Sequence, residues 1–316
     1  MSRTLTVTWN EIGRARWDAA HAAAAASYQQ DWAYGEVMRG AGAKVLRAAV
    51  KRADGSLAAL AQIVARPFAL VATFALCTHG PVWVGDVSAS DRREAYHAIR
   101  RALPLSWPRL LVVTPDDAMD ESAGLQGQSR VMTGDATVLV DLSRDDAAMR
   151  AGLESKWRNA LVKAEKSALK VQRVGLKPGQ YQWLIDAEAK QRQKRGYRAL
   201  PLALTEAWQA SKAEAAGGDR GAGLAVWRAD IGRDAVAGML FLVHGRRATY
   251  HIGWTNEAGR DNAAHNLILW TAMLEVKARG VDVLDLGGVN TQSGAGIARF
   301  KFGTGGAVLQ RAGAYV

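Results

Sequence analysis

Residues 223–288, GLAVWRADIGRDAVAGMLFLVHGRRATYHIGWTNEAGRDNAAHNLILWTAMLEVKARGVDVLDLGG, are the stretch of sequence that decides the fold. Four apolar runs in it read as strands because turn residues separate them: Gly223–Arg228, Ala235–Val243, Ala248–Trp254 and Val283–Leu286. Between the last two runs, Asn262–Arg279 reads as a helix that Gly280 ends. Three strands, a helix and a further strand predict a mixed α/β unit, not a regular βαβ alternation.

The first half of the chain gives a similar, looser order. Its strands are predicted at Val45–Val50, Leu57–Val64, Phe68–Leu76 and Leu110–Val113. Asp54-Gly55 lies between the first two runs, and this dipeptide favours a tight hairpin turn. Arg66-Pro67 sets off the third strand. A helix is predicted at Asp91–Leu103, with Asp91 as its cap.

The length of 316 residues exceeds what one ordinary core supports and suits two domains. The halves share no residue-level repeat, so their similarity is one of architecture. We therefore predict the α/β (α+β) class, with domains at residues 1–141 and 142–316. Each domain is expected to hold a mixed, mostly antiparallel sheet flanked by helices.

The net charge of +11 comes from 41 Lys+Arg against 30 Asp+Glu. Such a surplus attracts polyanions such as tRNA, nucleotides or an anionic membrane face. The alternative is a basic surface without a specific partner, because the surplus is spread along the chain. The single cysteine, Cys77, lies in an apolar run and reads as a buried structural thiol. No signal peptide or transmembrane segment is recognisable, so we expect a cytoplasmic protein.

The six histidines do not stand in the spacing of a metal site, and one cysteine cannot complete a zinc site. The nucleophile elbow G-x-S-x-G and the Walker A loop are also absent from the sequence. We therefore predict a reaction that uses no metal, no resident cofactor and no covalent enzyme intermediate.

The strongest local signal is the block 285-DLGGVN-290, followed by 294-GAGIARFKFG-303. Asp285 ends an apolar strand, and the glycines after it allow the backbone to approach a ligand closely. Lys301, between Phe300 and a second phenylalanine, would be a partly desolvated cation that stabilises an oxyanion or a phosphate. The alternative is a strand with alternating faces, in which both phenylalanines point inward and the lysine points into water.

A long helix is predicted from Arg144 to about Leu169. Lys156, Lys163 and Lys166 fall on its basic stripe, which suits a nucleic-acid or phosphate partner. The alternative is a solvated helix face with Lys–Glu pairs.

A second basic cluster is KQRQKRGYR at 190–198. Arg192 and Arg195 lie near Tyr197 there, and guanidinium groups beside an aromatic ring would clamp a pyrophosphate bidentately. The alternative is a charged helix end whose cations favour the C-terminal dipole.

The order and spacing of these segments resemble the FemAB peptidyltransferase family along nearly the whole chain. SYQQDWAY at 27–34 looks like the family's opening segment, and Gly80-Pro81-Val82 resembles the turn after its first hairpin. KWRNALVKAEK at 156–166 is similar to the helix that opens its second half. Further pieces follow in the family's order: Asn266-x-x-x-Trp270, Ala278-Arg279-Gly280, Asp285-x-Gly-Gly and Phe300-Lys301-x-Gly303.

This resemblance implies two GNAT-like domains with a cleft between them and a C-terminal strand that crosses back to the first domain. It implies that Lys301 lies near the reacting carbonyl, and we place Phe300 beside the substrate. It also implies that Arg192 or Arg195 binds a phosphate, a choice that the sequence leaves open. Asp285 is expected either to accept a proton or to order the glycine-rich turn.

Trp32 and Tyr34 fall in the segment that the resemblance assigns to the acceptor. The family often supplies a lysine there for the nucleotide of the acceptor, and this sequence has none from Tyr34 to Met38. Because this sequence contains no long coiled-coil insertion, any tRNA contact is expected to use the basic helices.

FemAB members transfer amino acids from aminoacyl-tRNA to peptidoglycan-precursor peptides. The resemblance therefore implies an N-acyltransferase with an aminoacyl-tRNA donor and an amine acceptor, either such a peptide or a small molecule. The acyl-CoA loop of GNAT enzymes usually reads Q/R-x-x-G-x-G/A, which RDNAA at 260–264 matches poorly. Two alternatives stay open: an acyl-CoA-dependent N-acyltransferase on the same fold, and a non-catalytic RNA- or nucleotide-binding protein.

Overall fold

A computed structural model of the chain describes residues 5–68, 72–177, 179–195, 204–290 and 294–316. The chain divides into two compact units. The first comprises the residues up to Ala136 together with Leu309–Val316, and the second comprises Thr137–Val308. Each unit has its own sheet and its own hydrophobic core.

The elements are numbered in chain order. The strands are β1 (Thr6–Trp9), β2 (Lys44–Lys51), β3 (Leu57–Phe68), β4 (Ala72–Thr78), β5 (Val82–Trp83), β6 (Arg109–Thr114), β7 (Arg130–Met132), β8 (Ala136–Asp141), β9 (Leu169–Arg173), β10 (Leu224–Ile231), β11 (Asp234–His244), β12 (Arg247–Thr255), β13 (Val283–Gly288), β14 (Ala307–Gln310) and β15 (Ala314–Tyr315). The α-helices are α1 (Arg14–Ala23), α2 (Trp32–Gly40), α3 (Ala89–Ala102), α4 (Asp146–Gly152), α5 (Ser155–Glu165), α6 (Gln182–Arg195), α7 (Leu204–Ala215), α8 (Glu257–Asp261), α9 (Ala264–Ala278) and α10 (Ala295–Phe302).

The first sheet has the strand order β1-β2-β3-β4-β6-β15-β7, and β5 pairs with β3. Neighbouring strands are antiparallel except β4 and β6, which are parallel. The predicted Asp54-Gly55 hairpin is confirmed between β2 and β3. Gly55 has a φ of +81°, and the Asp54 carboxylate accepts a hydrogen bond from the Ser56 N–H, so local turn chemistry fixes the register of these strands.

Helix α3 covers one face of the first sheet. Tyr96 and Ile99 on the helix share a core cluster with Ile63 of β3 and Leu111 of β6, and burying such a side chain contributes about 1.5–3 kcal/mol. The helix begins at Ala89 because the Ser88 hydroxyl accepts a hydrogen bond from a first-turn N–H. The prediction that Asp91 caps this helix was therefore wrong.

The second sheet has the order β14-β8-β13-β12-β11-β10-β9. Strands β10, β11 and β12 pair antiparallel in sequence order, and β12 pairs parallel with β13. Ile268, Leu269, Met273 and Val276 of α9 are buried in the same core cluster as Phe241 of β11. The three strands, helix and further strand predicted for residues 223–288 are all confirmed, as is the mixed α/β class with two sheets flanked by helices.

Two predicted elements were wrong in their bounds. The single helix from Arg144 to Leu169 is two helices, α4 and α5, because the Glu154 N–H at the break donates to the Gly303 carbonyl. Strand β3 continues through Pro67, which pairs with Thr73, so the proline does not separate two strands.

Candidate functional site

The second sheet opens between β12 and β13. The two strands pair in parallel at only three positions, Arg247↔Val283, Ala248↔Leu284 and Thr249↔Asp285. After Thr249, β12 also contains a β-bulge, since Leu240 faces Ile252 while Phe241 faces Tyr250. A bulge bends its strand and often lies beside a site. Beyond the pair Thr249↔Asp285, β12 and β13 no longer pair with each other, which leaves a gap between these two strands.

Asp285 holds the closed end of this gap. Its carboxylate accepts hydrogen bonds from Arg247 Nη2 at 2.6 Å, Thr137 Oγ1 at 2.5 Å and the Gly287 N–H at 2.8 Å. The Arg247 and Asp285 side chains are 4% and 8% exposed, so their ion pair is buried. Gly287 has a φ of +74°, a backbone conformation that favours glycine. Of the two predicted roles for Asp285, these contacts correspond to ordering the glycine-rich turn.

Lys301 enters the gap from α10. Its side chain is buried, and Nζ donates to the Gly287 carbonyl at 3.1 Å and to the Gly288 carbonyl at 2.7 Å. The alternative interpretation, a strand with Lys301 in water, is therefore wrong, because the segment is a helix and Lys301 is buried. Burial lowers the pKa of Lys301 to about 8, while the negative charge of Asp285 acts in the opposite direction. The ammonium is thus held against two backbone carbonyls in a place that disfavours its charge.

Phe300 orients the helix that carries Lys301. Its ring centroid lies 5.9 Å from that of Trp157 on α5 and 6.2 Å from that of His265 on α9. Gly303, directly after α10, leaves room for the Trp157 ring, because a Cβ there would lie 2.6 Å from a ring atom. Phe300 therefore packs inside the second unit and fixes the position of its neighbour.

A basic cavity of about 670 Å³ lies at the start of α5. Its lining includes three cationic side chains, Lys156, Arg158 and Arg299, and one carboxylate, Glu154. Arg299 lies two residues before Lys301, so one helix supplies both the buried ammonium and a wall of this cavity. The sequence analysis singled out Lys156 but missed Arg158 and Arg299. The only sequence signal for these two arginines is their positive charge within the segments 156–166 and 294–303.

The other predicted basic residues do not gather in this cavity. Lys163 Nζ donates to the Asp261 carbonyl at 2.6 Å and holds the segment between α8 and α9. Lys166 is the exposed C-terminal cap of α5. Arg192 on α6 pairs with the buried Glu188 at 3.3 Å. The side chain of Arg195 and the whole of Tyr197 lie outside the described residues.

His251, the extra residue of the bulge in β12, is a site residue that sequence reasoning missed. Its Nε2 lies 3.5 Å from Thr205 Oγ1 on α7. Burial, together with the positive charge of Arg192, lowers the pKa of His251 to about 4, so the imidazole is neutral at pH 7. Alternation along a strand gives no sign of a bulge, which explains why the sequence did not single out this histidine.

Trp32 and Tyr34 lie in the first unit, on α2. The Arg47 guanidinium carbon stands 3.5 Å from the centroid of the Trp32 ring, and Arg47 also bonds to Glu36. Tyr34 contacts Tyr28 edge to face at 5.8 Å, and burial raises the pKa of its phenol. Both aromatic side chains are therefore held in a network of the first unit.

Within the ranges that the structure covers, no three His, Cys, Asp or Glu side chains converge as metal ligands. No helix in the same ranges is both long and apolar enough to cross a bilayer. Cys77 is buried, and burial raises the pKa of its thiol to about 12, which agrees with the predicted structural role.

Comparison with known proteins identifies the fold. The acetyltransferase (GNAT) domain family matches residues 147–307, just over half of the chain. Among curated proteins, none matches significantly. The crystal structure of FemX is similar over 98% of this chain and 96% of its own, with a TM-score of 0.81 at 14% identity.

Two further solved structures share this architecture. A tandem GNAT protein from the clavulanic acid biosynthesis pathway is similar over 98% of this chain and 97% of its own, with a TM-score of 0.51 at 13% identity. L-PGS from Bacillus licheniformis is similar over 94% and 90%, with a TM-score of 0.52 at 10% identity. The family match favours the two enzymatic alternatives over a non-catalytic RNA-binding protein. The chain belongs to the acetyltransferase (GNAT) domain family and is an acyltransferase whose fold is that of FemX and of the tandem GNAT protein.

Proposed function

We propose that this acyltransferase moves an aminoacyl group from the ester of an aminoacyl-tRNA to an amine acceptor, either a peptidoglycan-precursor peptide or a small molecule. The observation that carries the proposal is the buried Lys301 ammonium in the gap between β12 and β13. Such a reaction needs no metal, no resident cofactor and no acyl-enzyme. A charged-tRNA donor would be met in the cytoplasm.

In this reaction the neutral amine attacks the ester carbonyl, and the carbonyl oxygen becomes an oxyanion. A lysine ammonium has three N–H donors, and two of those on Lys301 go to the Gly287 and Gly288 carbonyls. The third is left for the oxyanion. When the tetrahedral intermediate collapses, the C–O ester bond breaks, and the proton from the amine passes to the leaving ribose oxygen. Because the fixed carbonyls orient the ammonium beforehand, little reorganisation is needed as charge develops.

The basic cavity supports a nucleic-acid donor. Lys156, Arg158 and Arg299 face a volume of about 670 Å³, which suits a chain of phosphates better than a single small anion. Arg158 already donates to the Ala151 carbonyl at 3.3 Å, so it is held toward the cavity wall. Phosphates bound there would bring the 3′-terminal ester close to α10, the helix that carries Lys301.

A second candidate donor is an acyl-CoA, and the GNAT family match favours it. The segment 260–264 supplies no glycine before α9, and the Asn262 and Ala263 N–H groups already bond to the Ala258 and Arg260 carbonyls. A pyrophosphate would have to compete with those bonds. We therefore place the CoA donor second, and calorimetric titration with CoA would measure it directly.

The test offers charged tRNA and acyl-CoA separately, with amine acceptors, to the wild type and to Lys301→Met. With the preferred donor, Lys301→Met should lower kcat by about 10²–10³, the usual effect of losing one oxyanion donor. Lys177→Met is the matched control, because Lys177 is exposed and lies far along the chain from the gap. Equal turnover in Lys301→Met and wild type would remove Lys301 from the mechanism. Transfer from acyl-CoA alone would instead reject the tRNA donor.

A further inference from the structure

Four large apolar side chains are exposed in the first unit, at one end of its sheet. Phe68 of β3 is 66% exposed, Phe74 of β4 is 40% exposed and Leu110 of β6 is 47% exposed. Trp107, just before β6, is 84% exposed. Single apolar residues on a surface are normal, but three aromatic rings and a leucine in one place require a reason.

The strand register shows that these side chains form one patch. Phe74 pairs with Leu110 on one side and with Arg66 on the other, and directly paired residues point to the same face. Phe68 lies two residues beyond Arg66, on the same face of β3. The Thr73 N–H donates to the Pro108 carbonyl, which brings the Trp107 segment to this end of the sheet.

The patch begins where helix α2 ends. Arg66 Nη2 donates to the carbonyl of Ala41, the C-terminal cap of α2, so the helix covers the sheet only as far as Arg66. On the opposite face, Ala65, Ala75 and Leu111 are buried in the core cluster with α3. The exposed residues therefore contribute nothing to that core, and the apolar face continues past the last element that packs on it.

The charge around the patch has one sign. The strand ends that carry the patch, 44–46, 64–68, 72–76 and 107–111, contain no Asp or Glu, but they contain Lys44, Arg66 and Arg109. Arg66 shares the face of Phe74, whereas Lys44 and Arg109 pair with Ala65 and Thr73 and lie on the other face at the same strand ends. Lys44 and Arg66 are exposed. Aromatic and aliphatic groups that enter the acyl boundary, together with cations at headgroup level, are the combination that holds a protein on an anionic bilayer.

We propose that this patch, Phe68, Phe74, Trp107 and Leu110 with Arg66 on the same face and Lys44 at the same end of the sheet, binds the surface of an anionic lipid bilayer. A second copy of the chain fits less well, because apposed patches would bring like charges together. Four apolar residues also fall far short of the roughly 20–30 residues per side of a stable protein interface. The proposal is independent of the acyl donor and acceptor, and it would place an acyltransferase where lipid-linked amines are found.

Vesicle flotation of the full chain tests this proposal. Vesicles of phosphatidylcholine alone and vesicles with 30% phosphatidylglycerol (a composition of about one anionic lipid in three) are compared at low and high salt. The wild type should float with the anionic vesicles, and Phe68→Ser/Trp107→Ser should lower its partition coefficient about tenfold or more. Val308→Ser, at another exposed apolar residue (55% exposed), is the matched control and should float like wild type.

Three results would overturn the proposal. Absence of wild-type binding to either vesicle would do so, as would equal binding by the double variant, which would assign any lipid affinity to another basic surface. Self-association of the wild type without lipid, measured by sedimentation velocity and lost in the double variant, would make the patch a contact between copies. Because both substituted side chains are exposed, the double variant should keep the wild-type thermal midpoint, and that measurement excludes misfolding.

Discussion

Each unit contains one junction between two parallel strands, β4 and β6 in the first unit and β12 and β13 in the second. The first junction is closed, because its strands stay paired, and the second is open, because its strands separate. Each unit has three consecutive antiparallel strands, a helix and a strand that returns parallel to the third: β2–β4, α3 and β6 in the first unit, and β10–β12, α9 and β13 in the second. Strands β4 and β6 stay paired over six positions, from Thr73↔Arg109 to Thr78↔Thr114. Strands β12 and β13 pair over three and then separate.

This difference shows that strand pairing, more than topology, decides which unit holds the candidate site. In the closed junction the ladder continues to its last pair, Thr78↔Thr114, and the side chain that donates to the Thr78 carbonyl is the neutral amide of Gln30. In the open junction the carbonyls of Gly287 and Gly288 are left to Lys301, and the buried pair of Arg247 and Asp285 marks the last paired step. The following predictions test the open junction first and the closed junction last.

Removal of the carboxylate at the last paired step should have the largest effect. Asp285→Ala takes the carboxylate away from the buried Arg247 guanidinium and removes the acceptor of the Gly287 N–H. Breaking a buried pair in this way costs about 3–5 kcal/mol. Urea unfolding should show that loss in the free energy of unfolding of Asp285→Ala.

The control for this prediction is an exposed pair in the first unit. Glu94 and Arg101 are 37% and 66% exposed, so Glu94→Ala should cost less than about 1 kcal/mol. A similar, small loss in both variants would mean that the Arg247–Asp285 pair does not hold the open junction. A double variant, Arg247→Leu/Asp285→Leu, should recover part of the stability because neither buried charge remains.

The ammonium in the gap should itself reduce stability. The pKa of Lys301 is lowered to about 8 in the fold, against about 10.4 for an unfolded lysine. Between these values the unfolded state binds more protons, so wild-type stability rises with pH in that window. From pH 7 to pH 10 the wild type should therefore gain stability relative to Lys301→Met, by on the order of 2–3 kcal/mol. Urea unfolding of both proteins at pH 7 and pH 10 should show this gain. An equal stability difference between the two proteins at both pH values would contradict the desolvation of the ammonium.

Much of the open junction could be predicted from the sequence, because local signals decide those parts. The apolar runs around Gly245 and Gly280 predict β12, α9 and β13, since glycine turns separate strands and end helices. The sequence also indicated Asp285 and Lys301, although the roles of these two residues in the reaction remain predictions. What local signals could not predict is the separation of β12 from β13, which depends on pairing between residues distant in the chain.

Helix α10 and the orientation of Arg299 also could not be predicted from local sequence signals. The order Phe300-Lys301-Phe302 alternates like a strand, yet it forms the last turn of a helix because Phe300 packs on Trp157. Once the segment is helical, Arg299 faces the basic cavity while Lys301 faces the gap. Period-two alternation over three residues cannot distinguish these cases, so tertiary packing decides both the element and the direction of its cations.

The pH dependence of the reaction should also follow the open junction. If the protonated Lys301 stabilises the oxyanion, kcat should be flat below pH 8 and fall about tenfold per pH unit well above it. The acceptor should be an amine with a pKa well below that of Lys301, such as hydroxylamine, so that its own titration does not contribute. Lys301→Arg is the matched control, because a guanidinium stays charged and should keep the profile flat. A wild-type rate that stays constant from pH 7 to pH 10 would show that the charge of Lys301 is not needed.

The smallest effect is expected at the closed junction. Thr114 ends the six-position ladder, and its Oγ1 accepts a hydrogen bond from the His79 N–H at 3.2 Å. Thr114→Ala removes that bond, so it should lower the free energy of unfolding by about 0.5–1.5 kcal/mol. It should leave kcat unchanged, because strand pairing runs to the end of this junction and the candidate catalytic ammonium lies in the other unit. Unfolding and acyl-transfer assays on the same preparation separate the two readouts. A loss of kcat in Thr114→Ala as large as that in Lys301→Met, at full folding, would mean that the paired junction also takes part in the chemistry, and that an open ladder is not what distinguishes the catalytic unit.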